Sequence, residues 1–322
     1  MRDFFFYINK DKWWKLCLRH IYSFFVAPLF FILIFIRSTF FKSNLKKKYY
    51  LSVCSVFKDE AEFLDEWINY HLLLGVEHFY LYNNNSIDNY SSILEPYIAE
   101  GVVDLINWPN EFPQMSAFKN CLDSYKEAAV WISYIDIDEF ICPINTDDIK
   151  IFLKKYESYP SVVIYWKVFG TSGFFSHNYD KYVIEQYTSS YGKLMNMGKY
   201  FLNTSFSFPT FRSPHLIFAI INIGLLKLYI PPVNEYKKFI CGGLHRVSLF
   251  NRSIAIQLNH YWSKSYTMFL KNKVARSDVF SKENEEYNKR ALFFPNEHRC
   301  ITKDWSIQRF LIDLKLKKGG CD

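Results

Sequence analysis

From residue 49 onward, short uncharged runs alternate with longer stretches whose apolar residues recur at three- and four-residue intervals. "YYLSVCSVF" (49–57) mixes β-branched and aromatic residues with no charge, the signature of a strand covered on both faces. "DEAEFLDEWINYHLLLG" comes next, with acids crowding its first turn and Gly75 just past its end. Phe63, Leu64, Trp67, Ile68, His71 and Leu72 share one face of the helix this predicts. "EHFYLYNN" (77–84) predicts a second strand running into the polar loop "NNNSIDN". "SSILEPYIAEG" predicts a short helix and "VVDLINW" (102–108) a third strand. A helix from Pro113 to Ala128 then precedes a fourth strand, "WISYID". This alternation predicts an α/β fold: a mostly parallel, Rossmann-like sheet flanked by helices.

The first fifty residues obey another pattern. "IYSFFVAPLFFILIFI", Ile21 to Ile36, is sixteen uncharged and mostly apolar residues. As a helix it spans roughly 24 Å, a little less than the ~30 Å hydrocarbon core of a bilayer. Cationic flanks beside such a run fit a signal anchor or an in-plane membrane helix, and a buried or docking helix fits the same residues. No small-residue cleavage site succeeds it. Three segments are expected: a basic, hydrophobic membrane anchor at 1–48, the α/β domain at 49–280, and a solvated helix with a loose terminus at 281–322.

Half of the 322 residues are hydrophobic and 20% are aromatic, enough for a full core in one large domain or two modest ones. The net charge of +7 suggests a polyanion partner until its placement is read. Residues 1–50 hold ten Lys/Arg against Asp3 and Asp11, leaving 29 basic and 30 acidic residues in the remainder. The main domain therefore lacks the electrostatic footprint of a nucleic-acid binder. Seven cysteines at irregular spacing, with no C-x-x-C pair, argue against a disulfide framework or a zinc ribbon. Unpaired thiols point to a cytoplasm-facing domain at a bacterial inner membrane. Four N-x-[ST] sites (Asn84, Asn89, Asn203, Asn251) would permit a secretory setting.

In a parallel sheet, ligands sit at the carboxyl ends of the strands. Three polar features fall there: "KDE" (58–60), "NNNSID" (83–88) and "DIDE" (136–139). The last belongs to "WISYIDIDEFICP", where Asp136, Asp138 and Glu139 interrupt an apolar run. Side chains two apart on extended chain face the same way, so Asp136 and Asp138 would be close anions at an edge of low dielectric. Mg²⁺ or Mn²⁺ removes that repulsion and leaves coordination positions for a diphosphate. In the bland reading, Asp138 or Glu139 simply caps the next element.

Five blocks carry a more specific signal: "VFKDEAEFLDEWINYHLLLGVEHFYLYNNNSID"; "WP" with "QMSAFKNC"; "WISYIDIDEFICP"; "WKVFGTSG"; and "LNHYWSKSYTMFLKNKVARSD". In this order, over residues 51–278, the chain resembles glycosyltransferases of the GT-A fold, and more narrowly family 92 and its bacterial family-2-like relatives. It departs from them at Asp59, where Asn is usual, and at Phe174, where His is common.

The resemblance implies an inverting, metal-dependent hexosyltransferase. It would use a nucleotide-diphosphate sugar, a UDP-sugar by choice, and a glycan or lipid-linked saccharide as acceptor, in surface polysaccharide or lipopolysaccharide synthesis. It maps Asp136 and Asp138 onto the metal-binding acids and His260 onto a histidine completing the set. Lys264 could neutralise the departing diphosphate, with Lys199, Arg212, Lys271 and Arg276 as weaker candidates. Asp59, Glu60, Asn83, Asn85 and Asp88 offer groups for a uracil edge and ribose hydroxyls, although loop and cap chemistry accounts for some of them. Gln114 is favoured over Asn120 as a further contact, since the two point to different faces of one helix.

Inversion needs a base for the acceptor hydroxyl. Asp180, Glu185 and Glu235 are candidates, and "YVIEQY" sets Glu185 among apolar and aromatic residues, which makes it the choice. "WKVFGTSGFF" could stack a sugar or be a core strand with its turn. "HLIFAIINIGLLKLYIPP" (215–232) reads as a membrane-facing surface or a buried helix. Two other classes remain: a carbohydrate-binding protein on a degenerate transferase fold, and a phosphohydrolase with an aspartyl nucleophile.

Overall fold

The computed structural model describes residues 13–40, 46–111, 113–209, 211, 213–215, 217–223, 226–240, 254–274 and 285–319. A long helix, α1 (Trp13–Phe40), precedes an alternating series: β1 (Tyr49–Phe57), α2 (Ala61–Leu73), β2 (His78–Asn83), α3 (Tyr90–Ala99), β3 (Val103–Asn107), α4 (Pro113–Tyr125) and β4 (Ala129–Tyr134). Next come β5 (Glu139–Pro143), α5 (Ile149–Leu153), β6 (Ser161–Val168), α6 (Val183–Gln186), β7 (Ser189–Ser190) and β8 (Gly198–Asn203). The remainder supplies β9 (Ala219–Ile223), β10 (Leu226–Ile230), β11 (Ile256–His260), α7 (Tyr266–Phe269), α8 (Glu285–Glu297), β12 (Thr302–Lys303) and α9 (Leu311–Gly319).

Eight strands form one sheet in the order β3-β2-β1-β4-β8-β6-β11-β5. β3, β2, β1 and β4 are parallel, as the sequence pattern predicts. β8 then runs antiparallel to both β4 and β6. β6 therefore points the same way as β4, and β11 lies parallel to it. Alternate residues of the central strands feed two cores. Phe79, Leu81 and Trp131 pack with α2, whereas Tyr80, Tyr82, Ile132 and Tyr134 pack with Phe118 and Leu122 of α4. The period-2 alternation of the strands thus covers both faces with helices.

Three expectations from the sequence do not hold. The buried-helix reading of 215–232 gives way to two strands, β9 paired antiparallel with β10, with Leu228 opposite Ile221 and Ile230 opposite Ala219. Their alternation of Ile and Leu with Asn222, Lys227 and Tyr229 suits period 2 better than period 3.6. The tail is not loose: Ile307, Phe310 and Leu314 are buried in the main core beside Tyr70, and Arg309 donates to the carbonyls of Pro143, Ile144 and Thr146. Among the described residues, no helix is long and apolar enough to cross a membrane, so a membrane-spanning anchor is not supported. The physical reason lies in α1, where Phe30, Leu33 and Ile34 are buried in the domain core. The rings of Phe30 and Phe31 lie 5.0 and 5.1 Å from that of Phe239. That face of the helix is occupied by protein.

Candidate active site

The aspartates lie in a turn between β4 and β5, not on extended chain, and the Glu139 amide closes the turn by donating to the Asp136 carbonyl at 3.0 Å. The turn sends the two side chains to different partners. Asp136 accepts from Gln114 Nε2 at 2.8 Å on Oδ1 and pairs with Lys199 Nζ at 2.8 Å on Oδ2. Asp138 meets Lys273 Nζ at 2.6 Å and His260 Nε2 at 3.5 Å, both on Oδ2.

Sheet topology brings these groups together from distant sequence. β11 sits between β6 and β5, in a register that sets His260 opposite both Glu139 and Val168. The Tyr261 amide donates to the Asp138 carbonyl at 2.9 Å and fixes the crossing. Lys199 comes from β8, whose preceding residue must be small: a Cβ on Gly198 would stand 1.9 Å from the Ile164 carbonyl oxygen. Lys273 comes from a single π-helical turn, Leu270–Val274, a geometry that recurs at functional sites.

Glu139, the third acid of "DIDE", is fully buried. It accepts from the Asp136 amide at 2.9 Å and from Trp166 Nε1 at 2.7 Å, and Lys199 approaches at 3.9 Å. Burial pushes its carboxyl well above the ordinary range; Lys199 opposes the shift, and Asp136 and Asp138 add to it. Burial acts on Asp138 in the same sense, but Lys273 and His260 outweigh it and hold that carboxyl well below the usual range. For Lys199, burial is outweighed by Asp136 and Glu139, so its ammonium is held above its ordinary value. The Trp166 ring lies 4.5 Å from that of His260 and 5.0 Å from that of His215. His215 is pushed down to about 4 by burial and by Lys199.

The first strand end joins this cluster through Lys264. Its ammonium lies 3.9 Å from Glu60 Oε2 and 3.9 Å over the Phe63 ring, and its charge contributes to lowering Asp138. Lys264, Asp59 and Asn85 all adopt left-handed backbone, with φ of 49°, 49° and 56°. Non-glycine residues hold that conformation only where the surroundings over-determine it, and such positions gather at ligand sites.

The other nucleotide-site candidates interlock the first two loops. Asp59 Oδ1 accepts from the Ile87 amide at 2.8 Å, while its own amide donates to Ser86 Oγ at 3.0 Å. Asp88 Oδ2 accepts from the Ala61 amide at 2.8 Å and so caps α2 from across the gap. Asn83 Nδ2 donates to the Tyr90 hydroxyl at 2.9 Å. Asn85 is exposed at the rim. Asn120 takes the Tyr82 hydroxyl and stays away from the aspartates.

Glu185 lies in α6, with its carboxylate 2.9 Å from Lys315 of α9. None of its described contacts belongs to the aspartate cluster. Lys271 pairs with Glu62 at 3.1 Å, Glu235 is engaged through its carbonyl by the Tyr156 hydroxyl, and Asp180 is exposed. Arg212 and Arg276 lie outside the described residues.

Sequence reasoning missed two contributors. Lys273 stands two residues beyond the candidate Lys271, and only the π-helical turn selects it. Glu297, from the tail, binds the Thr171 amide at 3.0 Å, its hydroxyl at 2.7 Å, and Ser263 Oγ at 3.1 Å. It thereby ties the "GTSG" loop to the "WSKS" loop.

Among the described residues, no group of three or more His, Cys, Asp and Glu side chains is arranged to hold a metal ion. Asp138 Oδ2 and His260 Nε2, 3.5 Å apart, nevertheless fit as two ligands. Mg²⁺ or Mn²⁺ accepts so few protein ligands when phosphate oxygens and water complete the shell.

The sheet order, the polar groups at its carboxyl edge and the acid–lysine cluster define an α/β protein with a charged site at its strand ends. The chain belongs to glycosyltransferase family 92, whose family model matches residues 47–212, 166 of the 322. A family 92 protein of Oryza sativa subsp. japonica is 30% identical over 118 residues, which are 36% of this chain and 20% of the relative. A family 92 protein of Arabidopsis thaliana is 38% identical over 100 residues, 31% of this chain and 17% of the relative. The match thus spans about a fifth of the length of these relatives. Among solved structures, S. aureus TarS in complex with UDP gives a TM-score of 0.34 at 13% identity, covering 48% of this chain and 47% of that one. Glucosyl-3-phosphoglycerate synthase from Mycobacterium tuberculosis, crystallised with Mn²⁺, UDP-glucose and phosphoglyceric acid, gives 0.26 at 15% identity, covering 37% and 44%. Both structural likenesses are low.

Proposed function

We propose that the chain transfers a hexose from a nucleotide-diphosphate sugar, a UDP-sugar by choice, to a glycan or lipid-linked saccharide with inversion. One observation carries this reading: Asp138, His260 and Lys273 meet on one carboxylate, at the strand edge where Asp59, Glu60 and Lys264 also gather. Asp138 and His260 would hold Mn²⁺ or Mg²⁺. A divalent cation there supplies charge neutralisation for the leaving diphosphate.

The chain's own residues do the rest. Lys264 and Lys273 present two ammonium groups to the phosphates, and Lys273 is the one that must leave Asp138 for the cation to bind. Gln114 and Lys199 hold Asp136 in one rotamer, leaving the turn rigid beneath the diphosphate. Trp166 offers an aromatic surface beside His260, suited to a sugar ring. For the base, Glu185 remains the sequence candidate, and its pairing with Lys315 would have to open for that role.

Purified protein offered a panel of UDP-sugars and saccharide acceptors, with product detected by mass, tests the reading. Transfer should be lost in Asp138→Asn and in the presence of a strong chelator. Turnover unchanged under both conditions would overturn the metal role. Binding of saccharide with no turnover of any donor would favour a carbohydrate-binding protein, and phosphate release from simple phosphomonoesters a hydrolase.

A further inference from the structure

The helix α1 carries two apolar faces with different fates. Val26, Ala27, Phe30, Leu33 and Ile34 lie on or against the domain core. Ile21, Phe24, Phe25, Leu29 and Ile32 are exposed on the other side, Phe24 and Phe25 by 75% and 73%. The stretch Ile21 to Ile36 contains no charge, so this second face offers water no charged group. A helix that is apolar on opposite faces is normally covered on both.

The placement of α1 is equally informative. Phe31 meets Tyr159, just before β6, and Phe239, which bridges Val233 beside the start of β6. Arg37 donates to the Ser205 carbonyl and stacks at 3.7 Å on Phe206, just past the end of β8 and next to the start of β4. These are the amino-terminal ends of β4 and β6. Asp136 and Asp138 lie just past the carboxyl end of β4. The six residues of β4 separate the two poles by roughly 20 Å.

The α1 pole is also basic. Lys154, Lys155, Lys237 and Lys238 are exposed around Tyr156, Tyr159 and Phe239, and Lys46 and Lys48 are exposed beyond the helix end. The acids at this pole are Glu157, engaged by the Tyr50 hydroxyl, Glu235 beside Tyr156, Glu127 near Lys47 and Asp104 near Lys48, fewer than the lysines they face. Apolar rings rimmed by lysines complement an anionic bilayer surface, with rings in the acyl boundary and ammonium groups at the phosphates. A second copy would bring the same lysines against these, so lipid is the better match.

We propose that α1 is an in-plane, lipid-binding helix: one face is fixed to the catalytic domain, and the other lies in an anionic membrane surface. The candidate active site is then held at the pole away from the bilayer. An acceptor would be met as the outer end of a glycan rather than as a headgroup at the membrane. The membrane assignment does not depend on the transferase reading, because its test reads binding and not turnover.

The full chain is sedimented with vesicles of phosphatidylcholine alone and of phosphatidylcholine with phosphatidylglycerol. Binding should favour the anionic vesicles and weaken with salt. Phe24→Ser together with Phe25→Ser should reduce it by about tenfold or more, and Leu29→Ser with Ile32→Ser provides a second, independent pair. A fluorescent amino acid replacing Phe25 should be quenched by brominated lipid, whereas one replacing Ile87, exposed beside the site, should not. Failure to bind either vesicle overturns the proposal, as does equal quenching at both positions. So does a lipid-free dimer that the Phe24 and Phe25 substitutions dissociate.

Discussion

Lys273 Nζ lies 2.6 Å from the same Asp138 oxygen that His260 Nε2 approaches at 3.5 Å. A lysine thus stands where a divalent cation would bind, and its charge helps hold Asp138 well below the usual carboxylate range. In the proposed reading the ammonium and a cation would compete for one carboxylate.

Lys273→Met should therefore raise the affinity for Mn²⁺ in the absence of nucleotide, on the order of tenfold, because a like charge leaves the site. Titration followed by electron paramagnetic resonance reads this directly, with Asp138→Asn as the non-binding control. An affinity unchanged by Lys273→Met would exclude the competition.

Lys199 is buried between Asp136 and Glu139. Lys199→Met leaves two carboxylates without their counter-charge and should cost about 3–5 kcal/mol of stability, the usual loss when one partner of a buried pair is removed. A denaturant midpoint within error of the parent chain would show that the pair is not structural.

Gly198→Ala tests the close approach of β8 to β6. A methyl group 1.9 Å from a backbone carbonyl cannot be accommodated by rotating a side chain, so the strands must separate. Overpacking of this kind costs about 1–3 kcal/mol, and here it also displaces the neighbouring Lys199. Thermal unfolding, together with transfer activity, should show both losses at once.

Stability should fall as pH drops below about 6.5, from three histidines held neutral, His71 buried and His177 and His215 half-buried. Burial pushes His71 down to about 3, and His177 and His215 to about 4, from an ordinary value of 6.5. The unfolded chain takes up these protons first, so stability is full above 6.5 and declines as pH falls toward the folded values. Asp138, depressed below its ordinary 3.8, acts only at still lower pH. Denaturation midpoints measured between pH 6.5 and 4 check this, and a flat profile would refute it.

Much of the parallel half of the sheet is legible in the sequence, because a strand covered on both faces must be apolar throughout and its covering helices must carry apolar stripes. That is why β1, α2, β2, α3, β3, α4 and β4 fall where the pattern puts them. The same logic fails at residues 215–232, where a short apolar run fits either period and only pairing decides for two strands. Within the site, His260 lies 3.5 Å from Asp138. Gln114 reaches Asp136, while Asn120 is turned toward Tyr82. Lys273 and Glu297 were not legible, since the first depends on a π-helical turn and the second on a tail folding back over the "GTSG" loop.

By itself, then, the sequence determined the alternation of strands and helices from β1 to β4 and the family, because hydrophobic period and local spacing are properties of neighbouring residues. Tertiary structure alone decided which lysine meets which aspartate, what becomes of the tail and which face of α1 is buried against the domain. Those outcomes depend on groups more than sixty residues apart sharing a low-dielectric space, and no local pattern encodes that.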